Sequence, residues 1–342
     1  MIDGVKIVRT DRELECPVID RVLREKGANL VLLPDTVSED ELAAETADAD
    51  LLLMCYTPIT ARIIEGAARL KGIVKFGVGI DAIAIEAAKA RGIPVVNIPQ
   101  YAEETVAEGA FTLMIALAKK FVPIATAMRE TGWAWPEARW LGSDISGKTL
   151  GLVGVGRIGQ SMARMAGAGF RAKVLGFDPH MDAAAMRAAG VTKVDSLAEM
   201  LPQCDFVSLH CVLNDETRHL IGARELACMK PSAVIINVAR GALIDEMALL
   251  EALKAGRIGG AGLDVYSQEP LDQAAHPLRE LYAMENVILF PHLTFFTKEA
   301  MERLEEETLE RCFEALRGEP VLVKSRDPRL TSQQTGVRFP DP

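Results

Sequence analysis

The sequence has little of what secretion, metal binding, membrane insertion or nucleic-acid binding requires. Its six cysteines (Cys16, Cys55, Cys204, Cys211, Cys228, Cys312) are scattered without a CxxC pair, and its five histidines lack ligand spacing. No disulfide framework and no metal site are expected, and the thiols suit a reducing compartment. No basic stretch followed by an apolar one opens the chain, so no signal peptide is visible, and no apolar run is long enough to span a bilayer. The expected location is the cytoplasm. Acidic residues outnumber basic ones, 48 to 38, giving a net charge of -10. Without a basic patch, neither nucleic acid nor an anionic membrane is an expected partner. The run Glu305-Glu306-Glu307 lies in a helical pattern and reads as a solvated face. There is no internal repeat and no low-complexity block. The stretch from Lys324, rich in Pro, Ser, Gln and Arg, reads as an extended or mobile tail.

What is present is a globular composition, 49% hydrophobic and 25% charged, in 342 residues. That length exceeds one ordinary core and predicts two domains. Short β-branched runs at 6–10, 28–34, 49–55, 72–77 and 94–99 alternate with helical patterns. A long amphipathic segment at 101–129 and an aromatic turn ending near Trp140 follow. A second series has strand-like runs at 149–156, 173–178, 206–211, 233–239, 260–265 and 286–291, before a last long helix at about 298–317. Such alternation implies parallel strands covered by helices. One domain is built from about 1–100 plus the terminal helix, and the other is inserted into it.

Chemistry gathers in the second series. Gly154-x-Gly156-x-x-Gly159 follows a strand and opens a helix, and Asp178 ends the next strand about 20 residues on. This pattern cradles a pyrophosphate on backbone N–H groups and offers a carboxylate to the adenine ribose; the charge of Asp178 favours NAD over NADP. Arg240, Asp264, Glu269 and His292 fall just past three later strands, where ligands of parallel sheets collect. Arg240 can hold carboxylate and carbonyl oxygens in its planar fork. His292 can deliver a proton, and Glu269 would orient it and raise its pKa.

The stretch from Arg240-Gly241 through Asp245-Glu246, Gly256-x-Ile258 and Leu263-Asp264-Val265 to Glu269-Pro270 resembles the signature of the NAD-dependent D-2-hydroxyacid dehydrogenases. The resemblance runs from about residue 5 to 320. It implies an α/β fold of two doubly wound parallel-sheet domains, with a Rossmann NAD domain (101–298) inserted into a flavodoxin-like substrate domain (1–100 and 299–342). It implies hydride transfer between NAD(H) and C2 of a small 2-oxo or 2-hydroxy acid, with Arg240, Glu269 and His292 catalytic. The cofactor would be lined by Val106, Gly154, Gly156, Arg157, Ile158, Gly159, Asp178, His210, Cys211, Val212, Thr217, Val238, Ala239, Arg240, Asp264 and His292. Asp264 would meet the nicotinamide carboxamide. In the loop Lys75-Phe76-Gly77-Val78-Gly79-Ile80-Asp81, the N–H groups of Val78 and Gly79 would hold the substrate carboxylate, and Lys75 would favour a second anionic group unless it points to solvent. Phe295 and Phe296 would instead wall an apolar pocket, or Phe295 would pack inward. The resemblance further implies a homodimer through the NAD domain, with Trp135 and Trp140 on an arm toward the partner. Val212 and the bulky Leu293 to Thr297 stretch depart from the usual pattern and lean toward the D-lactate dehydrogenase and C-terminal-binding-protein branches. An NAD(H)-sensing, corepressor-like binding protein and a phosphite-type dehydrogenase therefore stand as alternatives.

Overall fold

The computed structural model describes residues 2–340. The chain forms two compact units, one made of the residues up to Ala102 with those from Thr297 onward, the other of Glu103–Phe296.

The first unit carries β1 (Lys6–Arg9), β2 (Asn29–Leu32), β3 (Leu51–Met54), β4 (Ile73–Lys75) and β5 (Val95–Asn97). All pair in parallel, in the order β2-β1-β3-β4-β5. This is the flavodoxin-like doubly wound order. The β3 stretch is apolar throughout because both faces of the central strand are covered, and every residue of it is buried.

Two expectations for this unit are corrected. Glu305 is not on a solvated face. It is buried, and its Oε2 accepts from the N–H groups of Val18 (2.7 Å) and Ile19 (2.9 Å). It thus caps the helix Pro17–Glu25, whose own N-cap residue, Cys16, makes no side-chain cap bond. Nor is the stretch from Lys324 an extended tail. It holds a turn of helix (Pro328–Thr331) and β14 (Val337–Arg338), which pairs in parallel with β13 (Val321–Leu322) just before the stretch. Val323 and Leu330 are fully buried, so apolar side chains spaced along a polar segment are enough to dock it.

The second unit carries β6 (Thr149–Val153), β7 (Lys173–Phe177), β8 (Thr192–Lys193), β9 (Phe206–Leu209), β10 (Val234–Asn237), β11 (Gly260–Leu263) and β12 (Val287–Leu289). The order is β12-β11-β10-β9-β6-β7-β8, all parallel. Counted from β6 this is the Rossmann 3-2-1-4-5-6 order with a seventh strand, and the order reverses between β6 and β9. Apolar clusters lie on both faces of the sheet. Strand β8, only two residues long, gave no sequence signal.

The segment at 101–129 is not one helix but two, Glu103–Ala118 and Phe121–Thr131, with Lys120 left-handed at φ 52°. Pro123 forces the break, since its ring would clash with the Lys119 carbonyl four residues back in a continuous helix. Among the described residues, no single helix is long and apolar enough to cross a membrane.

Candidate functional site

The glycine turn lies where the strand order reverses. Gly154 has φ 89°, and a Cβ there would stand 2.6 Å from the Cys211 amide nitrogen. A Cβ on Gly159 would press into the Gly154 carbonyl, whereas one on Gly156 would meet nothing within 4 Å. The outer two glycines are therefore required by the chain's own packing. The middle one keeps space open at the N-terminus of the helix Arg157–Arg164, whose cap residue has no side chain to satisfy its N–H groups. That is the fit a pyrophosphate needs. Arg157 is exposed and pairs with Glu103 at 2.9 Å, and Ile158 is half-buried.

Asp178 stands just past β7. Its Oδ2 accepts from Val155 N and its Oδ1 from His180 N, both at 2.9 Å. A carboxylate has about four lone-pair directions, so capacity remains for ribose hydroxyls. Past β9, His210 holds the Ser208 hydroxyl at 2.8 Å, and burial pushes its imidazole down to about 4, so it is neutral near pH 7. Burial pushes the Cys211 thiol up to about 11. Thr217 donates from Oγ1 to the carbonyl of the exposed Val212 at 2.7 Å, closing that loop. Val106 and Val238 belong to the same apolar cluster, and Ala239 is half-buried.

The catalytic candidates stand at the ends of three adjacent strands. After β10, Asn237 accepts from Ala239 N (3.1 Å) and donates to the Arg240 carbonyl (2.8 Å), fixing the turn that presents Arg240. Gly241 is required because a Cβ there would collide with the Tyr266–Ser267 backbone. After β11, Asp264 is 1% exposed. Its carboxylate accepts from Leu293 N (2.8 Å), Thr294 N (3.1 Å) and Thr294 Oγ1 (2.5 Å). It brackets the loop after β12, where His292 adopts φ 59°. A left-handed histidine is unfavourable alone and persists where its neighbours over-determine it.

His292 Nδ1 lies 2.8 Å from Glu269 Oε2, and the two side chains are 27% and 32% exposed. Glu269 Oε1 accepts from Tyr266 N at 2.9 Å. Burial raises the Glu269 pKa, but the His292 hydrogen bond and charge, the Tyr266 N–H and the Arg240 charge outweigh it and hold the carboxyl below its ordinary range. The Tyr266 hydroxyl reaches the carbonyls of Leu263 (3.1 Å) and Phe290 (3.0 Å), tying the ends of β11 and β12. Sequence reasoning gave no role to Tyr266 or Asn237. An Asn at a strand end, three residues before the Arg, was the readable signal for the second; Tyr266 had none.

In the first unit, Val78 is exposed and Gly79 half-buried, and their N–H groups find no acceptor among the described residues. Lys75 does not point to solvent. It is 5% exposed, its Nζ donates to the Cys55 carbonyl, and Cys55 Sγ lies 3.2 Å away. Phe295 is likewise turned inward at 7% exposure, while Phe296, edge-on to it, is 46% exposed. Among the described residues, no group of three or more His, Cys, Asp or Glu could hold a metal ion.

Residues 111–294 match the family model described as D-isomer specific 2-hydroxyacid dehydrogenase, NAD binding domain. The chain is 40% identical over 337 residues to the D-3-phosphoglycerate dehydrogenase of Methanocaldococcus jannaschii, covering 98% of itself but only 62% of that protein's length. It is 39% identical to the glyoxylate reductase of Korarchaeum cryptofilum, covering 82% of itself and 84% of that enzyme. Among solved structures, the D-lactate dehydrogenase of Aquifex aeolicus complexed with NAD and lactic acid aligns with a TM-score of 0.81 at 29% identity, over 91% of this chain and 96% of that one.

Proposed function

The chain belongs to the D-isomer specific 2-hydroxyacid dehydrogenases, a family of NAD-dependent enzymes, and from that premise we propose that it reduces a small 2-oxo acid to the D-2-hydroxy acid. The observation that carries this reading is the Glu269–His292 pair at 2.8 Å, past the two strands that succeed the one leading to Arg240. NAD(H), which the glycine turn and Asp178 would hold, would supply the hydride exchanged with C2 of the substrate. His292 delivers a proton from Nε2 to the C2 oxygen, because Nδ1 is engaged by Glu269. The Arg240 guanidinium neutralises the carbonyl and carboxylate oxygens. The unpartnered N–H groups of Val78 and Gly79 receive the carboxylate. Asp178 accepts from the adenine ribose and repels a 2′-phosphate, which supports NAD over NADP. The exposed Trp135, with Phe121, Trp133 and Leu141 exposed and Trp140 half-buried, supports pairing of this segment with a second copy of the chain.

The test is NADH oxidation against a panel of 2-oxo acids from glyoxylate to phenylpyruvate, with NADPH alongside. Turnover of one member is expected. His292→Ala should lose about 10²- to 10⁴-fold in kcat while binding NADH as the parent does. Silence across the panel, or a fully active His292→Ala, would overturn the assignment.

A further inference from the structure

The residues after the long helix Lys298–Leu316 are bound to the first unit at both ends of one loop. β13 and β14 close on each other through Val321 N to Gly336 O (2.8 Å) and Val323 N to Arg338 O (2.9 Å). Glu314 on the helix then receives Leu322 N (3.0 Å) and the Arg338 guanidinium (2.7 Å). Between these strands the segment reaches the sheet edge. β5 is the last strand of its sheet, so the outward N–H and C=O of Val95 face no sixth strand. Gln333 supplies both missing partners from one side-chain amide. Its Oε1 accepts from Val95 N at 2.7 Å, and its Nε2 donates to Val95 O at 2.9 Å. A buried amide in that position also blocks the edge against other chains.

Two residues further along β5, Asn97 donates from Nδ2 to the Val78 carbonyl at 2.5 Å, and Ile98 N donates to Gly77 O at 3.0 Å. The Val78 carbonyl and the Gly79 N–H belong to one planar peptide and point in opposite directions. Fixing that carbonyl therefore aims the Gly79 N–H. At the far end of the loop, both terminal nitrogens of Arg329 lie 3.3 Å from Asp81 Oδ1, while Asp327 holds the same guanidinium at 2.7 Å. Arg329 is thus oriented by its own segment before it meets the loop.

We propose that segment 321–340 is a strap that positions the Gly77–Asp81 loop for the substrate carboxylate, with Gln333 setting the entry through β5 and Arg329 setting the exit through Asp81. The proposal rests on the reading of that loop given under Proposed function. Both are positioning residues: neither meets the reacting atoms, and their effect falls on substrate binding rather than on hydride transfer.

The test uses the full chain carrying Arg329→Ala, Arg329→Lys or Gln333→Ala. Amide hydrogen exchange is read by mass spectrometry over the loop and its bonded neighbours, at Gly77 N, at Ile83 N (held by Ile80 O) and at Ile98 N (held by Gly77 O), and KM, kcat and NADH affinity are read separately. Arg329→Ala should speed exchange in the loop and raise the KM for the 2-oxo acid about two- to fivefold, as suits a part-exposed ion pair. It should leave kcat and NADH affinity within about twofold. Arg329→Lys should recover part of the KM, and Gln333→Ala should speed exchange at β5 and in the loop together. Unchanged exchange at Gly77, Ile83 and Ile98 in both alanine variants overturns the proposal, as does faster exchange with an unmoved KM. Should the parent chain reduce no 2-oxo acid, the functional reading falls, and the exchange data alone decide whether the strap holds the loop.

Discussion

Glu269→Gln is the sharpest perturbation of the site, because it keeps size and shape and removes one charge. In the parent, each carboxylate oxygen has its own donor, His292 Nδ1 at 2.8 Å and Tyr266 N at 2.9 Å. A primary amide has one oxygen and one NH₂, so one of these donors must face an N–H instead. The backbone N–H of Tyr266 cannot change, so the amide oxygen turns toward it and the NH₂ group faces His292. Nδ1 must then become the acceptor, the proton sits on Nε2, and the doubly protonated ring that serves as the acid loses its support. A hydrogen bond to a charged group contributes about 1.5–3 kcal/mol. Losing it is expected to lower kcat for oxo-acid reduction by about 10- to 150-fold, at about 1.4 kcal/mol per factor of ten. NADH binding, read by fluorescence titration, should be unaltered, since neither group lies on the glycine turn. The pH dependence has a definite sign. Glu269 titrates below the ordinary carboxylate range, so its support for His292 is complete above that range and disappears only as pH falls through the depressed value. A Glu269→Gln enzyme within about threefold of the parent across neutral pH would refute the argument that this carboxylate, by accepting from Nδ1, orients the histidine for catalysis.

The glycine turn makes a paired prediction: Gly154→Ala, which adds a Cβ 2.6 Å from Cys211 N at φ 89°, should cost at least ~2 kcal/mol and lower Tm in calorimetry. Gly156→Ala, which meets no neighbour within 4 Å, should leave Tm alone and weaken NADH binding about tenfold or more; equal Tm losses in both would refute the division of roles. Asp178→Asn should raise the NADPH-to-NADH preference about fivefold or more, since unit charges some 4 Å apart interact by ~1 kcal/mol even in water, and an unmoved ratio of kcat/KM would count against the ribose assignment. His210 is held neutral down to about 4 when folded but takes a proton near its ordinary 6.5 when unfolded, so acidification between those values favours the unfolded chain by at most ~3 kcal/mol. Denaturant midpoints of His210→Asn should therefore fall less steeply than the parent's over that range, and parallel curves would show that the ring is solvated.

Two kinds of residue differ in how far they could be read from the chain. The buried strands were legible because a parallel sheet covered on both sides needs unbroken apolar runs, as in all of β3 and in β10 up to Asn237. Gly154, Asp178, Arg240, Glu269 and His292 stand out as candidates for a related reason: each follows a strand, and each is of a type that chemistry at a strand end requires. The residues that hold them were not. Glu305 caps a helix about 286 positions away, Gln333 completes a strand 238 positions away, and Tyr266 reaches the carbonyl of Phe290 from another strand. Their types are ordinary, and only the partner gives them meaning. Lys75 and Phe295 show the same limit from the other side. A lysine in a glycine-rich loop and a phenylalanine beside a histidine look like ligand contacts, yet Lys75 turns to the Cys55 carbonyl beyond a neighbouring strand and Phe295 is buried. The candidate site is consequently a small set of side chains of reactive type held by backbone donors and ordinary polar groups. Asp264 is the case where the two kinds meet: its place after β11 announces a site residue, but its carboxylate is committed to Leu293 and Thr294. What it contributes first is the left-handed turn at His292, without which the imidazole would not stand against Glu269.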